Sequence, residues 1–218
     1  MTAPADLVEK GEPLEAARAA MVLLHGRGAT PEDIYLDCAG LLGEPAFAFL
    51  APRAADGAWY PQPFTAPLDS NEPWLSQALD TVDALLRRIE ETVPIERVVL
   101  LGFSQGGCLA LEYAARRARR YGAVVGFSAA LIGPPDRPRK YEGSLAGTPM
   151  FLGCSDRDPY IAADLVTRSA AVLSGLEGEV DLRFYPGMGH IVSADEIARV
   201  RRLMAALTRH KEEIKTWQ

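Results

Sequence analysis

The residues of this 218-residue chain that could do chemistry begin with a serine set between glycines. Gly102, Phe103, Ser104, Gln105 and Gly106 satisfy the pattern G-x-S-x-G, which ordinary composition would supply by chance about 0.07 times in a chain of this length. The spacing has a physical reason. A serine on a sharp strand-to-helix turn is held clear of the sheet in a strained backbone conformation. Strand and helix pass so closely there that glycine suits the positions two before and two after. The N–H groups of the new helix point at whatever the hydroxyl attacks. The chemistry implied is nucleophilic catalysis: attack on a carbonyl, a covalent acyl intermediate, and release of the acid by water.

A serine hydroxyl needs a base to take its proton, and the base needs an orienting acid. Around a serine turn of this kind the acid and then the base follow the nucleophile along the chain. There are three histidines. His25 precedes the serine. His210 lies between Arg209 and Lys211 in a stretch that reads as solvated helix. His190 remains, in the glycine-bracketed loop of YPGMGHIV just past a strand. The acid is expected from the loop CSDRDPYI, which offers Asp156 and Asp158; Asp164 is a helical turn further on, and Asp136 belongs to an earlier loop. Proline directly after Asp158 keeps the chain from continuing as helix and fixes a carboxylate at the loop tip. That favours Asp158, and leaves Asp156 as a turn or capping residue. An oxyanion hole requires two backbone N–H groups aimed at the developing charge. Gln105, directly after the serine, should supply one. The loop HGRGAT should supply the other, through the Arg27 amide. His25 and Gly26 are expected to shape that turn, His25 as a hydrogen-bonded structural residue.

Elements with the right periodicity surround these residues. LVEKGEP reads as a small edge strand. Apolar runs starting at Met21, Ala46, Val98, Ala123, Pro149 and Val180 read as strands. Helices are expected from Pro31 to Leu42, capped by Thr30, and from Glu72 to Glu91. A third, amphipathic, should follow Ser104 and end in a solvated cap of Arg116, Arg117, Arg119 and Arg120. Two more are expected, one through about Leu173 and one from Ala194 to about Lys215. Alternating strands and helices predict a parallel sheet covered on both faces, with ligands outside the carboxyl ends of the strands. The length suits one domain over residues 1–218. Arg53 to Asn71 is irregular, its prolines excluding regular structure and its aromatics unusual for a free loop. Within it WYPQPFTAP is the candidate substrate pocket, with Trp59 as the binding residue. The alternative is that Trp59 and Phe64 staple the loop to the core. Trp74 is read as packing.

The bulk numbers exclude some classes. The net charge of −6 argues against a nucleic-acid partner. No apolar run approaches the roughly 20 residues that span a bilayer, and the start MTAPADLVEKGEP lacks the basic and apolar parts of a signal peptide. Three cysteines in apolar or helical settings suggest free thiols and a cytoplasmic location, not a disulfide framework. With no C-x-x-C pair and scattered histidines, a zinc site is not expected.

LLHGRGAT, GFSQGG, DPYI and GMGH, taken together, resemble the phospholipase/carboxylesterase family of small α/β-hydrolases, which includes bacterial carboxylesterases and acyl-protein thioesterases. The motifs run in family order from about Leu14 to the C-terminal helix. The resemblance implies an α/β-hydrolase fold: a mostly parallel central sheet, helices on both faces and no large cap domain. It implies no cofactor. By motif it makes Ser104 the nucleophile, Asp158 the acid, His190 the base, and Arg27 with Gln105 the oxyanion donors. Two departures stand out. The family's usual acid lies three residues after a glycine, which selects Asp156 here, whereas the D-P-x-hydrophobic pattern selects Asp158. The family also often has a small or hydrophobic residue where Arg27 stands; an arginine there either favours anionic substrates or turns to solvent. The activity expected is hydrolysis of carboxylic esters or thioesters of small to medium acyl chains. Lysophospholipid hydrolysis and acyl transfer use the same triad, and a non-catalytic receptor on this scaffold would usually lack one of its members. The expected partner is a small-molecule ester or thioester, with no nucleic acid, no stable membrane insertion, and a monomeric or homodimeric chain.

Overall fold

A computed structural model of the chain describes residues 7–39, 46–137 and 139–208. The apolar runs form one seven-stranded sheet in the order β1-β3-β2-β4-β5-β6-β7. The strands are β1 (Leu7–Gly11), β2 (Ala19–Leu24), β3 (Phe47–Pro52), β4 (Val98–Phe103), β5 (Ala123–Phe127), β6 (Pro149–Ser155) and β7 (Glu179–Tyr185). β1 is the edge strand expected from LVEKGEP and runs antiparallel to β3; the other pairings are parallel. β2, β3 and β5 are buried along their whole length, as strands covered on both faces must be. Between them run α1 (Pro31–Ile34), α2 (Trp74–Glu90), α3 (Gln105–Arg116), α4 (Ala163–Gly175) and α5 (Ala194–Thr208). Alternate residues of β2 enter opposite layers: Ala20, Val22 and Leu24 join a core with α2, α3 and α4, and Met21 and Leu23 join a second core with α1 and α5.

From β2 the chain steps outward to β3 and then returns to place β4 on the other side of β2. That reversal is a topological switch point, where connections diverge and leave a crevice at the strand ends. His25 follows β2 and Ser104 follows β4, so both flank it.

Several elements differ from the expected ones. The Thr30 cap forms as a full capping box: the Thr30 hydroxyl accepts from the Asp33 amide at 3.2 Å and Asp33 Oδ2 from the Thr30 amide at 2.9 Å. The α-helix stops at Ile34, however, and continues as a π-helical turn, Tyr35–Ala39. This wider turn keeps Ile34 and Cys38 in the core while Leu36 and Asp37 face a cleft. Residues 40–42 of the expected helix lie outside the described residues, as do 209–215 of the last helix and with them His210. Trp74 does not pack inside. The buried stripe of α2 is Leu75, Ala78, Val82, Leu85, Leu86 and Ile89, which turns Trp74 outward and leaves it 48% exposed. α3 is not amphipathic either, being buried from Gln105 to Ala115. Its Glu112 is tolerated because the carboxylate is fully used: it accepts from Arg116 Nε at 2.7 Å, the Tyr141 hydroxyl at 2.9 Å and the Ile132 amide at 3.0 Å. The arginines after it are not merely solvated. Arg119 makes a bidentate pair with Glu90 at 2.9 Å, and Arg120 donates to the Ala146 and Gly147 carbonyls.

The three cysteines are free and buried. Burial pushes the Cys108 and Cys154 thiols up to about 12, and the Cys38 thiol higher still.

Glu196 closes a capping box at the start of α5, its Oε2 accepting from the Ser193 amide at 2.6 Å. Its Oε1 is buried with no hydrogen-bond partner among the described residues and lies against Gly153, where a Cβ would come within 2.2 Å of it. Burial raises the Glu196 pKa above its ordinary 4.5. A raised carboxyl binds its proton more tightly folded than unfolded, so this contribution to stability is complete below about pH 4.5 and fades as pH climbs through the folded pKa. Glu196→Gln keeps the capping box and removes the titration. The urea midpoint of wild type relative to this variant is therefore expected to fall as pH rises above 4.5; a constant difference would contradict the assignment.

Candidate active site

Ser104 sits at φ 54°, ψ −120°, in the left-handed region that an L-residue occupies only when its surroundings force it. The forcing groups are visible. The Ser104 amide donates to the Phe127 carbonyl on β5 at 2.9 Å, and its own carbonyl accepts from the Cys108 amide at 2.9 Å, starting α3. A Cβ on Gly102 would lie 2.3 Å from the Gly106 carbonyl group. A Cβ on Gly106 would meet the Leu24 carbonyl of β2 at 2.1 Å. Only the first of these is the strand-against-helix clash expected; the second glycine clears the neighbouring strand.

The His190 ring spans the distance from this serine to an acid. Its Nε2 is 2.9 Å from Ser104 Oγ and its Nδ1 is 2.7 Å from Asp158 Oδ2. Asp158 Oδ1 accepts from the Tyr160 and Ile161 amides at 2.9 and 3.0 Å, the turn that Pro159 initiates. Burial would raise the Asp158 pKa, but the bonds from His190 and these two amides outweigh it and hold the carboxyl below its ordinary value. Asp156 does not touch His190. Its Oδ1 accepts from the Gly187 amide at 2.8 Å, and the Ser155 hydroxyl accepts from the Gly189 amide at 3.1 Å, so both tie the histidine loop to the end of β6. The imidazole lies between the Phe103 and Tyr160 rings, with centroids 4.8 and 4.9 Å away.

The HGRGAT loop adjoins the serine: a Cβ on Gly26 would be 3.6 Å from Ser104 Cβ. Gln105 is the first residue of α3, so its amide has no carbonyl one turn back to satisfy it. The Arg27 amide takes no part in the backbone bonds of its loop, whereas Gly28 donates to Gly57 and Ala29 to Gly26. His25 is wholly buried, hydrogen-bonded to the Gly26 carbonyl through Nδ1 and accepting from the Ala54 amide at Nε2. Burial lowers its pKa, which keeps the ring neutral, as a structural histidine requires.

Trp59 is not a wall of the cleft. It is 4% exposed, with its indole N–H on the His25 carbonyl at 2.8 Å and its ring tilted over the His25 imidazole. The stapling alternative describes it, and the cleft wall falls instead to its neighbours Tyr60, Pro63 and Phe64. What holds that loop is a set of long-range polar contacts not expected from the sequence. The Gln105 side chain accepts from the Trp59 amide at 3.0 Å and donates to the Tyr60 carbonyl at 2.8 Å. The Arg27 guanidinium donates to the Tyr60 and Gln62 carbonyls at 2.7 and 3.1 Å, so it is neither simply solvated nor left as a bare anion site. The buried Asn71 accepts from the Gln62 amide at 2.8 Å. A polar amide next to a nucleophile and an asparagine two residues before a proline are the signals that pointed there.

The cleft over Ser104 has a volume of about 1190 Å³. Its apolar lining includes Tyr60, Phe64, Ile161, Leu165, Leu36 and Ile191. Leu36, Tyr160 and Ile191 stand at its mouth, large apolar side chains more than half exposed. Trp59→Ala should therefore cost about 3–5 kcal/mol of stability without changing acyl-length preference, while Phe64→Ala should change that preference with little loss of stability. Melting curves and a graded ester series read the two effects separately. Among the described residues, no group of three or more His, Cys, Asp or Glu side chains converges as a metal site, and no helix is long and apolar enough to cross a membrane.

Comparison with known proteins agrees with this fold. A solved phospholipase/carboxylesterase from Dyadobacter fermentans superposes with a TM-score of 0.87 at 36% identity, covering 94% of this chain and 99% of its own. A Bacillus cereus carboxylesterase shares the fold, with a TM-score of 0.75 at 16% identity over 92% of this chain and 93% of its own. Acyl-protein thioesterase 1 of Gibberella zeae is 29% identical over 127 residues, 54% of this chain and 51% of that protein. The chain thus spans about half the length of the first curated relatives it matches, although the match to acyl-protein thioesterase 1 of Eremothecium gossypii covers 88% of both at 29% identity. Residues 7–208 match the phospholipase/carboxylesterase family throughout, and the chain belongs to that family of α/β-hydrolases.

Proposed function

We propose that the protein is a serine hydrolase acting on carboxylic esters or thioesters. The observation that carries the reading is the unbroken hydrogen-bond chain Asp158–His190–Ser104 opening into an apolar cleft. Ser104 Oγ attacks the acyl carbonyl as His190 Nε2 takes its proton. Asp158 keeps the imidazole in the tautomer with Nδ1–H facing it, and steadies the imidazolium. The tetrahedral oxyanion is met by the Gln105 and Arg27 amides, donors fixed before the reaction begins. His190 returns the proton to the leaving alcohol or thiol, then activates water to release the acid. The Asp158 side chain is wholly buried and bonded to His190, which suits it to this orienting task.

The relatives named acyl-protein thioesterase and carboxylesterase support both leaving groups, and the cleft suits an acyl chain better than a polar one. Residues 1–218 act in this reading as one catalytic domain needing no cofactor. Incubation with a fluorophosphonate probe followed by peptide mapping tests it: a single adduct on Ser104 is expected, coincident with loss of ester turnover. An unlabelled native protein would favour a receptor role on the same fold.

A further inference from the structure

The segment that ends β4 recurs at the end of β5. Gly126, Phe127 and Ser128 repeat Gly102, Phe103 and Ser104, and the sheet register pairs Gly102 with Gly126 and Phe103 with Phe127. Both serines leave their strands at positive φ, 54° for Ser104 and 43° for Ser128. Ser128 is wholly buried, and its hydroxyl makes no hydrogen bond of ordinary geometry among the described residues. A left-handed serine and an unpaired buried hydroxyl are each unfavourable alone. One neighbourhood accounts for both. The Ser128 amide donates to the Gly153 carbonyl at 2.7 Å, which sets the residue beside Cys154. The Cys154 thiol in turn lies 3.9 Å from Asp158 Oδ2. Asp158 Oδ1 is occupied by two amides, while among the described residues Oδ2 takes His190 and that weak thiol donor. A hydroxyl is a rotor, and the unpaired Ser128 hydroxyl belongs to the neighbourhood of this Cys154–Asp158 contact, where the Asp158 carboxyl, held below its ordinary pKa, offers an acceptor.

We propose that Ser128 is a positioning residue for the triad acid: its buried hydroxyl donates to the Asp158 carboxylate and holds Oδ2 toward His190 Nδ1. The inference rests on the triad reading above. β5 thus supplies a second serine turn that does not attack substrate but supports the acid behind the first.

The test uses Ser128→Ala and Ser128→Gly in the full chain, beside Ser104→Ala. Both Ser128 variants lack the hydroxyl, and glycine also relieves the left-handed backbone, so it should melt at or above the alanine variant and remain available if alanine folds poorly. Expected are a roughly tenfold fall in kcat with KM within about twofold of wild type, and an upward move of the acid limb of kcat/KM. The limb moves up because a carboxylate relieved of one donor holds the imidazolium more strongly. Unchanged kcat and limb in either folded variant would overturn the proposal, as would a fall in kcat with the limb in place, which marks a merely structural role. If Ser104→Ala kept its turnover, the triad reading itself would fall, an outcome distinct from either Ser128 result.

Discussion

Ser104→Ala is expected to lower kcat for ester or thioester hydrolysis by about three to six orders of magnitude, with KM little changed. The size follows from how the site is built. Among the described residues the hydroxyl is the group hydrogen-bonded to His190 Nε2, at 2.9 Å, and without it the imidazole has water in place of an oriented nucleophile. What survives is catalysis by the oxyanion donors and by binding, worth about 10³- to 10⁴-fold over water. The variant should fold at least as stably as wild type, because the strained φ of 54° belongs to the backbone and, among the described residues, the hydroxyl makes one bond. Steady-state kinetics together with a melting curve checks both halves, and retention of full turnover would sink the hydrolase mechanism. His190→Ala should be nearly as damaging, and its effect should not add to that of Ser104→Ala, since the two act as a unit.

The second large effect separates two aspartates two residues apart. Asp158→Asn should lower kcat by about 10⁴-fold. An amide at this position donates where a carboxylate accepts, so His190 is driven to the wrong tautomer, with its proton on Nε2 facing the serine. Two amides still bind Oδ1, so the loop holds its shape and the loss is chemical. Asp156→Asn keeps an acceptor for the Gly187 amide and should stay within about fivefold of wild type, since a single exposed hydrogen bond contributes only about 0.5–1.5 kcal/mol. The opposite ranking would transfer the acid to Asp156. The depressed pKa of Asp158 adds a pH signature. Its contribution to stability is present above the ordinary carboxyl value and is lost as pH falls through the lower folded one, so Asp158→Asn should flatten the acid end of the stability curve.

Much of this architecture could be read from residue types alone, for identifiable reasons. Fully buried parallel strands must be continuous apolar runs, so β2 to β6 announced themselves, and the serine turn and its single eligible histidine followed from pattern and chain order. The choice between Asp156 and Asp158 turned on Pro159, a local constraint visible in one dimension. What stayed hidden depends on three-dimensional convergence. The Gln105 side chain and the Arg27 guanidinium grip carbonyls more than 30 residues away. Trp59 looks like a pocket residue until its indole is seen on His25. Trp74 lies one position off the stripe that decides which face of α2 is covered. Glu112 reads as a polar edge on a helix until three donors are found around it. Local spacing carries backbone periodicity well; it carries little about which polar atom meets which across the fold.

The three thiols, buried and held far from ionisation at neutral pH, have a practical meaning for distinguishing the two leaving groups. A thiolate, not a thiol, reacts with disulfide and alkylating reagents. The folded protein should therefore be silent toward a chromogenic disulfide such as Ellman's reagent. Thiol released from a thioester can then be counted continuously in the same cuvette with no background from the catalyst, so the ester-to-thioester ratio becomes a direct optical measurement on unmodified protein.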